Sequence, residues 1–68
     1  MKFKVKHYSN ERLFKELSDA KMRLEGYLQA KEALPESSKL GALYVSCGIR
    51  YEESFIAALD EEIHSRGL

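Results

Sequence analysis

The sequence predicts a mainly α-helical protein: an antiparallel hairpin of two helices, preceded by a short β-strand and assembled as a homodimeric four-helix bundle. Three observations support this prediction. Two long segments carry apolar residues at helical spacing, a single proline separates them, and apolar residues cover an unusually wide part of the second segment. We expect one domain over residues 1–68, with a strand at about 2–8 and helices at about 10–34 and 36–66.

The strand is predicted because residues 2–8 alternate polar and apolar side chains, which is the period of a half-buried strand. Phe3 and Val5 fall on one face, and the lysines of this segment fall on the other. These lysines are Lys2, Lys4 and Lys6. A single strand has no partner within this chain, and its backbone groups need one. We therefore expect it to pair with a second copy or with another protein.

Ser9 or Asn10 is predicted to cap the first helix, because either side chain can accept a hydrogen bond from a free backbone N–H. Apolar residues then recur at spacings of three, four and seven as far as Leu34, and only Gly26 interrupts them. Pro35 disfavours helical geometry at the residue before it and can itself start a new helix. A loop is therefore expected here, between two helices.

The second predicted helix has two apolar stripes. The first stripe consists of Val45, Ile49, Ile56, Leu59 and Ile63. The second stripe consists of Leu40, Tyr44, Cys47, Tyr51, Phe55 and Ala58. Together they cover roughly 200° of the helix surface, whereas a single contact needs only ~100°. One helix cannot cover both stripes, so the surplus face should meet a second copy or another protein.

Gly41 and Gly48 lie seven residues apart, between the two stripes. Because glycine has no Cβ, we expect them to allow another helix to approach closely. These observations define a predicted interface for self-association or for a partner. Its members are Phe3, Val5, Leu40, Gly41, Tyr44, Cys47, Gly48, Tyr51 and Phe55.

No group of residues indicates an active site. Glu61 and His64 have the Glu-x-x-His spacing of di-metal bundles, but they fall on the polar side of the helix. Cys47 has no base at helical spacing and is expected to be a buried structural residue. The glycines are scattered and form no phosphate-binding loop. We therefore expect a non-enzyme with no cofactor and no metal.

Composition also indicates the cellular compartment and limits the classes of binding partner. The longest apolar stretches are far shorter than the ~20 residues that span a bilayer, so no membrane partner is expected. A lone cysteine fits a reducing compartment such as the cytoplasm. The chain has 11 basic (Lys and Arg) and 11 acidic residues, but residues 1–9 hold three lysines and no acid. Residues 35–68 hold three basic residues against six acids, whereas nucleic-acid-binding domains are usually basic overall.

A basic strand followed by two helices resembles, in element order, the ribbon-helix-helix repressors. The resemblance covers the first 25 residues, since the first helix of those repressors is about half as long as the one predicted here. It implies that Lys2, Lys4 and Lys6 contact nucleic acid in the major groove, with Phe3 and Val5 facing the core. A nucleic-acid-binding transcriptional regulator is therefore the alternative function.

The expected function is protein binding. We expect a small regulator, adaptor or inhibitor that acts as a homo-oligomer, with a dimer as its simplest form, on a protein target that the sequence does not identify. Short chains without a site are often accessory proteins of phages or other mobile elements, which suggests that kind of source.

Overall fold

The computed structural model describes residues 3–68 and contains two long helices that form a hairpin. Helix α1 spans Asn10–Ala33, and helix α2 spans Lys39–Ser65. A three-residue 3-10 helix, Val5–His7, precedes α1. The molecule is elongated, with extents of 45 × 20 × 14 Å. The prediction of a mainly helical hairpin is confirmed.

A side-chain cap defines the start of helix α1, and a proline defines its end. The Ser9 side chain accepts a hydrogen bond from the backbone N–H of Arg12 at 3.1 Å, so it satisfies one of the free donors of the first turn. Along the exposed side, Lys15 and Asp19 form an ion pair at 3.1 Å, four residues apart. Leu34 is extended (φ −70°, ψ 135°), as expected for the residue before Pro35.

Helix α2 ends in a Schellman motif. Gly67 has a φ of 72°, in the left-handed region that favours glycine. The Gly67 N–H donates to the carbonyl of His64 at 3.0 Å, and the Leu68 N–H donates to that of Ile63 at 3.1 Å. These two bonds satisfy carbonyls that the end of the helix would otherwise leave free.

The core lies between the two helices at the end of the hairpin that holds the start of α1 and the end of α2. Leu13 of α1 and Leu59 of α2 are fully buried. Ala20, Phe55 and Val5 complete the buried cluster. Each large aliphatic side chain buried in this way contributes roughly 1.5–3 kcal/mol. Val5 comes from outside the helices, so residues 3–8, called the N-terminal segment below, are part of the core.

The N-terminal segment is not the predicted strand. Within the described residues of the range 2–8, Val5–His7 form a 3-10 turn, closed by a hydrogen bond from the Tyr8 N–H to the Val5 carbonyl at 3.1 Å. A strand needs a second strand to satisfy its backbone groups, whereas this turn satisfies one of them locally and leaves Val5 buried. The alternation of polar and apolar residues therefore reflects packing on the helices rather than sheet formation.

Arg66 holds the two ends of the chain together. Its guanidinium donates to the Lys6 carbonyl at 3.0 Å and to the Asn10 side-chain oxygen at 2.9 Å. It also forms a half-buried ion pair with Glu62 at 2.8 Å. The N-terminal segment, the start of α1 and the end of α2 are thus joined through one side chain.

Neither helix in the described range has an apolar stretch long enough to cross a membrane.

Candidate functional site

The N-terminal segment covers the C-terminal part of the second stripe of α2. Phe3 packs edge-on against Tyr51, with ring centroids 5.4 Å apart, and against Phe55 at 5.0 Å. Val5 is buried beside them in the core cluster. The chain therefore supplies its own cover for one half of the stripe that helix α1 leaves exposed.

The N-terminal part of the same stripe stays exposed. We call this region, together with the adjacent Leu43, the open face. It consists of Leu40, Leu43, Tyr44, Cys47 and Tyr51, the last of which contacts Phe3 but remains 46% exposed. Leu40 is 83% exposed, Tyr44 70% and Leu43 62%. Contiguous exposed apolar patches are typical of interaction surfaces. Leu43 is absent from the predicted interface, although its spacing of three from Leu40 and four from Cys47 places it there.

The predicted interface residues divide into two groups. Within the hairpin lie Phe3, Val5, Gly41, Gly48 and Phe55. On the open face lie Leu40, Tyr44, Cys47 and Tyr51. Cys47, expected to be buried, is exposed in the single chain and forms no disulfide.

The two helical glycines accommodate residues of the same chain. A Cβ on Gly48 would lie only 2.5 Å from Cε1 of Tyr27, which comes from α1. A Cβ on Gly41 would lie 2.5 Å from Oγ of Ser38 and 3.0 Å from Cδ2 of Leu34. The close approach at these positions is therefore made inside the hairpin and at its loop.

An open groove of about 720 Å³ continues the open face toward the C-terminus of α2. We call it the small-residue groove, because α2 contributes small side chains to it, among them Ser54, Ala57 and Ala58. The N-terminal segment forms one wall through Phe3, Val5 and Lys6, and α2 completes the lining with Glu61, Glu62 and Ser65. One side of α2 thus carries large apolar residues in its first half, and small residues together with Glu61 and Glu62 in its second.

A second, smaller groove of about 320 Å³ lies near the loop of the hairpin. Tyr27 and Tyr44 line it, with their rings packed edge-on and their centroids 6.3 Å apart. The charge that the neighbouring Tyr44 carries when ionised raises the pKa of Tyr27 above its ordinary value. The rest of this groove is formed by Arg23, Gly26, Ala30 and Val45.

Glu52 is a buried carboxylate that the sequence analysis did not identify. It is 4% exposed, and its Oε2 accepts a hydrogen bond from Nε of Arg23 at 3.0 Å. This bond is the main reason that the pKa of Arg23 is raised. Oε1 has no hydrogen-bond partner in the described part of the chain. One signal in the sequence indicates this burial: Glu52 lies seven residues from both Val45 and Leu59, and both of these residues are buried.

The remaining predicted residues of interest are at the surface. Lys4 and Lys6 are exposed, while Lys2 lies outside the described residues. Glu61 and His64 are exposed at the end of α2. Among residues 3–68, no three side chains of the metal-binding types come together.

Comparisons with known proteins give no family for this fold. Neither a protein-family model, nor a curated protein, nor a solved structure matches the chain.

Proposed function

We propose that the protein is a small non-enzymatic regulator, adaptor or inhibitor that acts by binding protein, and that it works as a homo-oligomer. The open face is the observation that carries this proposal. Covering a large apolar side chain contributes roughly 1.5–3 kcal/mol, so the four large residues of the face provide several kcal/mol for an association. The exposed side of α2 is therefore a contact surface.

Self-association is the first event in this proposal. A chain of 68 residues has a small core, and such chains commonly gain stability by assembling. Since the N-terminal segment covers only half of the second stripe, a second copy is needed to cover the other half. The protein target then binds the assembled oligomer, and the exposed, unpaired Cys47 fits a reducing cytoplasm.

The alternative, a nucleic-acid-binding regulator, has less support. In the ribbon-helix-helix arrangement two paired strands enter the major groove. In the described part of the N-terminal segment a 3-10 turn occupies that position, and the Lys6 carbonyl accepts a hydrogen bond from Arg66. Lys4 and Lys6 are exposed and therefore accessible to phosphate groups, so this alternative can be tested.

A pair of matched variants tests the proposal. Leu40→Ser combined with Tyr44→Ser removes two exposed apolar residues from the open face. Met22→Ser removes an equally exposed one from α1, where Met22 is 70% exposed, as is Tyr44. Sedimentation equilibrium should give about twice the 7.8 kDa chain mass for the wild type and for Met22→Ser, and a monomer for the double variant.

Affinity capture with the same three proteins tests whether binding of a protein target depends on the open face. A bound protein recovered with the wild type and with Met22→Ser, and lost with the double variant, is the expected result. A wild type that is monomeric at micromolar concentration, with equal capture by all three proteins, contradicts the proposal.

A further inference from the structure

We infer that the partner on the open face is a second copy of the chain, with its α2 helix antiparallel and the two-fold axis between Cys47 and Ser54. This inference rests on the proposed function, because it presupposes self-association through α2. It adds the orientation and register of the two copies.

The sizes of the side chains along α2 favour the antiparallel arrangement. The first half of its exposed side is large and apolar, with Leu40, Leu43 and Tyr44, and the second half is the small-residue groove. In an antiparallel pair, each copy places its large residues in the groove of the other, so both halves are filled. In a parallel pair, large residues would meet large residues, and the two grooves would meet each other and leave a void.

The charges along α2 favour the same arrangement independently. Residues 37–51 contain the exposed bases Lys39 and Arg50 and no acid. Residues 52–62 contain five acids and no base, and three of the five acids are exposed: Glu53, Asp60 and Glu61. An antiparallel pair brings the basic half of each helix to the acidic half of the other. A parallel pair would instead place Lys39 opposite Lys39 and Glu61 opposite Glu61.

The register follows from these two matches. An axis midway between Cys47 and Ser54 places Leu43 opposite Ala58 of the second copy and brings Lys39 level with the adjacent Glu61 and Glu62 of the second copy. Since a two-fold interface is self-complementary, each pairing occurs twice. The contact extends over residues 39–61, which is roughly 35 Å of helix at 1.5 Å per residue.

Disulfide trapping tests the orientation. In a Cys47→Ser background, one chain carries Leu43→Cys and a second, tagged chain carries Ala58→Cys. We expect the mixture to form a mixed disulfide rapidly under mild oxidation, while each variant alone cross-links slowly. Met22→Cys in the same background is the control and should cross-link with neither. Circular dichroism of each variant checks that the substitutions, including the one at the partly buried Ala58, leave the helices intact.

Each outcome of the trapping experiment has a definite meaning. Rapid self-cross-linking of the separate variants would show a parallel pair and overturn the inference. A dimer in sedimentation that forms none of these disulfides would place the second copy elsewhere, which also overturns it but leaves the proposed homo-oligomer intact. A monomer would contradict the self-association on which both depend.

Charge reversal gives a second measurement. Lys39→Glu or Glu61→Lys alone should weaken the dimer roughly 10-fold, because two attractions become two repulsions. The two changes combined in one chain restore opposite charges in the antiparallel pair, so the dissociation constant should return toward the wild-type value. No recovery in the double variant, or no weakening in either single one, would argue against this register.

Discussion

Replacing the buried Glu52 with leucine should stabilise the protein, although it removes an ion pair. The Oε1 atom lacks a hydrogen-bond partner among the described residues, and a buried acceptor of this kind costs about 1–3 kcal/mol. A leucine between Val45 and Leu59 also adds apolar burial worth roughly 1.5–3 kcal/mol. Against these gains stands the hydrogen bond to Arg23, worth about 1.5–3 kcal/mol.

Arg23 does not suffer from the loss of Glu52, because its side chain is 45% exposed and remains hydrated. Asp19 and Glu16 also remain close enough to interact with its charge. We therefore expect Glu52→Leu to raise the free energy of unfolding by about 1–3 kcal/mol, within the range found when buried ion pairs are replaced by apolar residues. Arg23→Ala should have the opposite effect and cost roughly 3–5 kcal/mol, because it leaves a carboxylate buried without its partner.

Urea unfolding followed by far-ultraviolet circular dichroism measures both changes, at a fixed chain concentration because assembly links stability to concentration. Glu53→Leu, at the exposed neighbouring position, is the matched control and should change stability by less than about 0.5 kcal/mol. A Glu52→Leu protein that is destabilised by more than about 1 kcal/mol would refute the reasoning. So would an Arg23→Ala protein as stable as the wild type.

Three further predictions concern the core, the tyrosine pair and the basic segment. Leu59→Ala should cost about 2–5 kcal/mol in the same unfolding assay, since Leu59 is fully buried, and a loss below 1 kcal/mol would contradict the described core. In an ultraviolet absorbance titration, Tyr27 should ionise above the ordinary tyrosine pKa of about 10, and Tyr44→Phe should lower its pKa again. Because the pKa of Tyr27 is higher in the folded protein than in the unfolded chain, this tyrosine contributes to stability while it is protonated. That contribution is fully present below the unfolded pKa and is lost as pH rises through the folded pKa. Replacing Lys2, Lys4 and Lys6 with glutamine should leave protein binding unchanged, whereas tight, salt-sensitive binding of duplex DNA that disappears in this variant would favour the nucleic-acid alternative.

The helical hairpin could be predicted from the sequence because its signals are local. Apolar spacing marks both helices, Pro35 lies in the loop between them, and Gly67 follows the last turn of α2. The strand prediction failed because alternation over residues 3–7 is also compatible with a short turn that packs on two helices. Only the tertiary contact of Phe3 with Tyr51 and Phe55 distinguishes the two.

The candidate site could be predicted only in part for a related reason. The width of the apolar surface on α2 showed that one helix could not cover it, but not that the chain's own N-terminal segment would cover half. Glu52 was missed because a carboxylate within an apolar heptad is ordinarily taken to be exposed. Its burial depends on Arg23, which is 29 residues away and cannot be recognised from local spacing.

The contacts of Arg66 make the two ends of the chain one cooperative unit. Because its guanidinium joins the Lys6 carbonyl, Asn10 and Glu62, fraying of the last turn of α2 would remove one of the contacts that hold the N-terminal segment. Release of that segment would withdraw Phe3 from Tyr51 and expose the rest of the second stripe. Arg66 therefore helps to keep part of the second stripe covered, although it lies at the opposite end of the hairpin from Leu40.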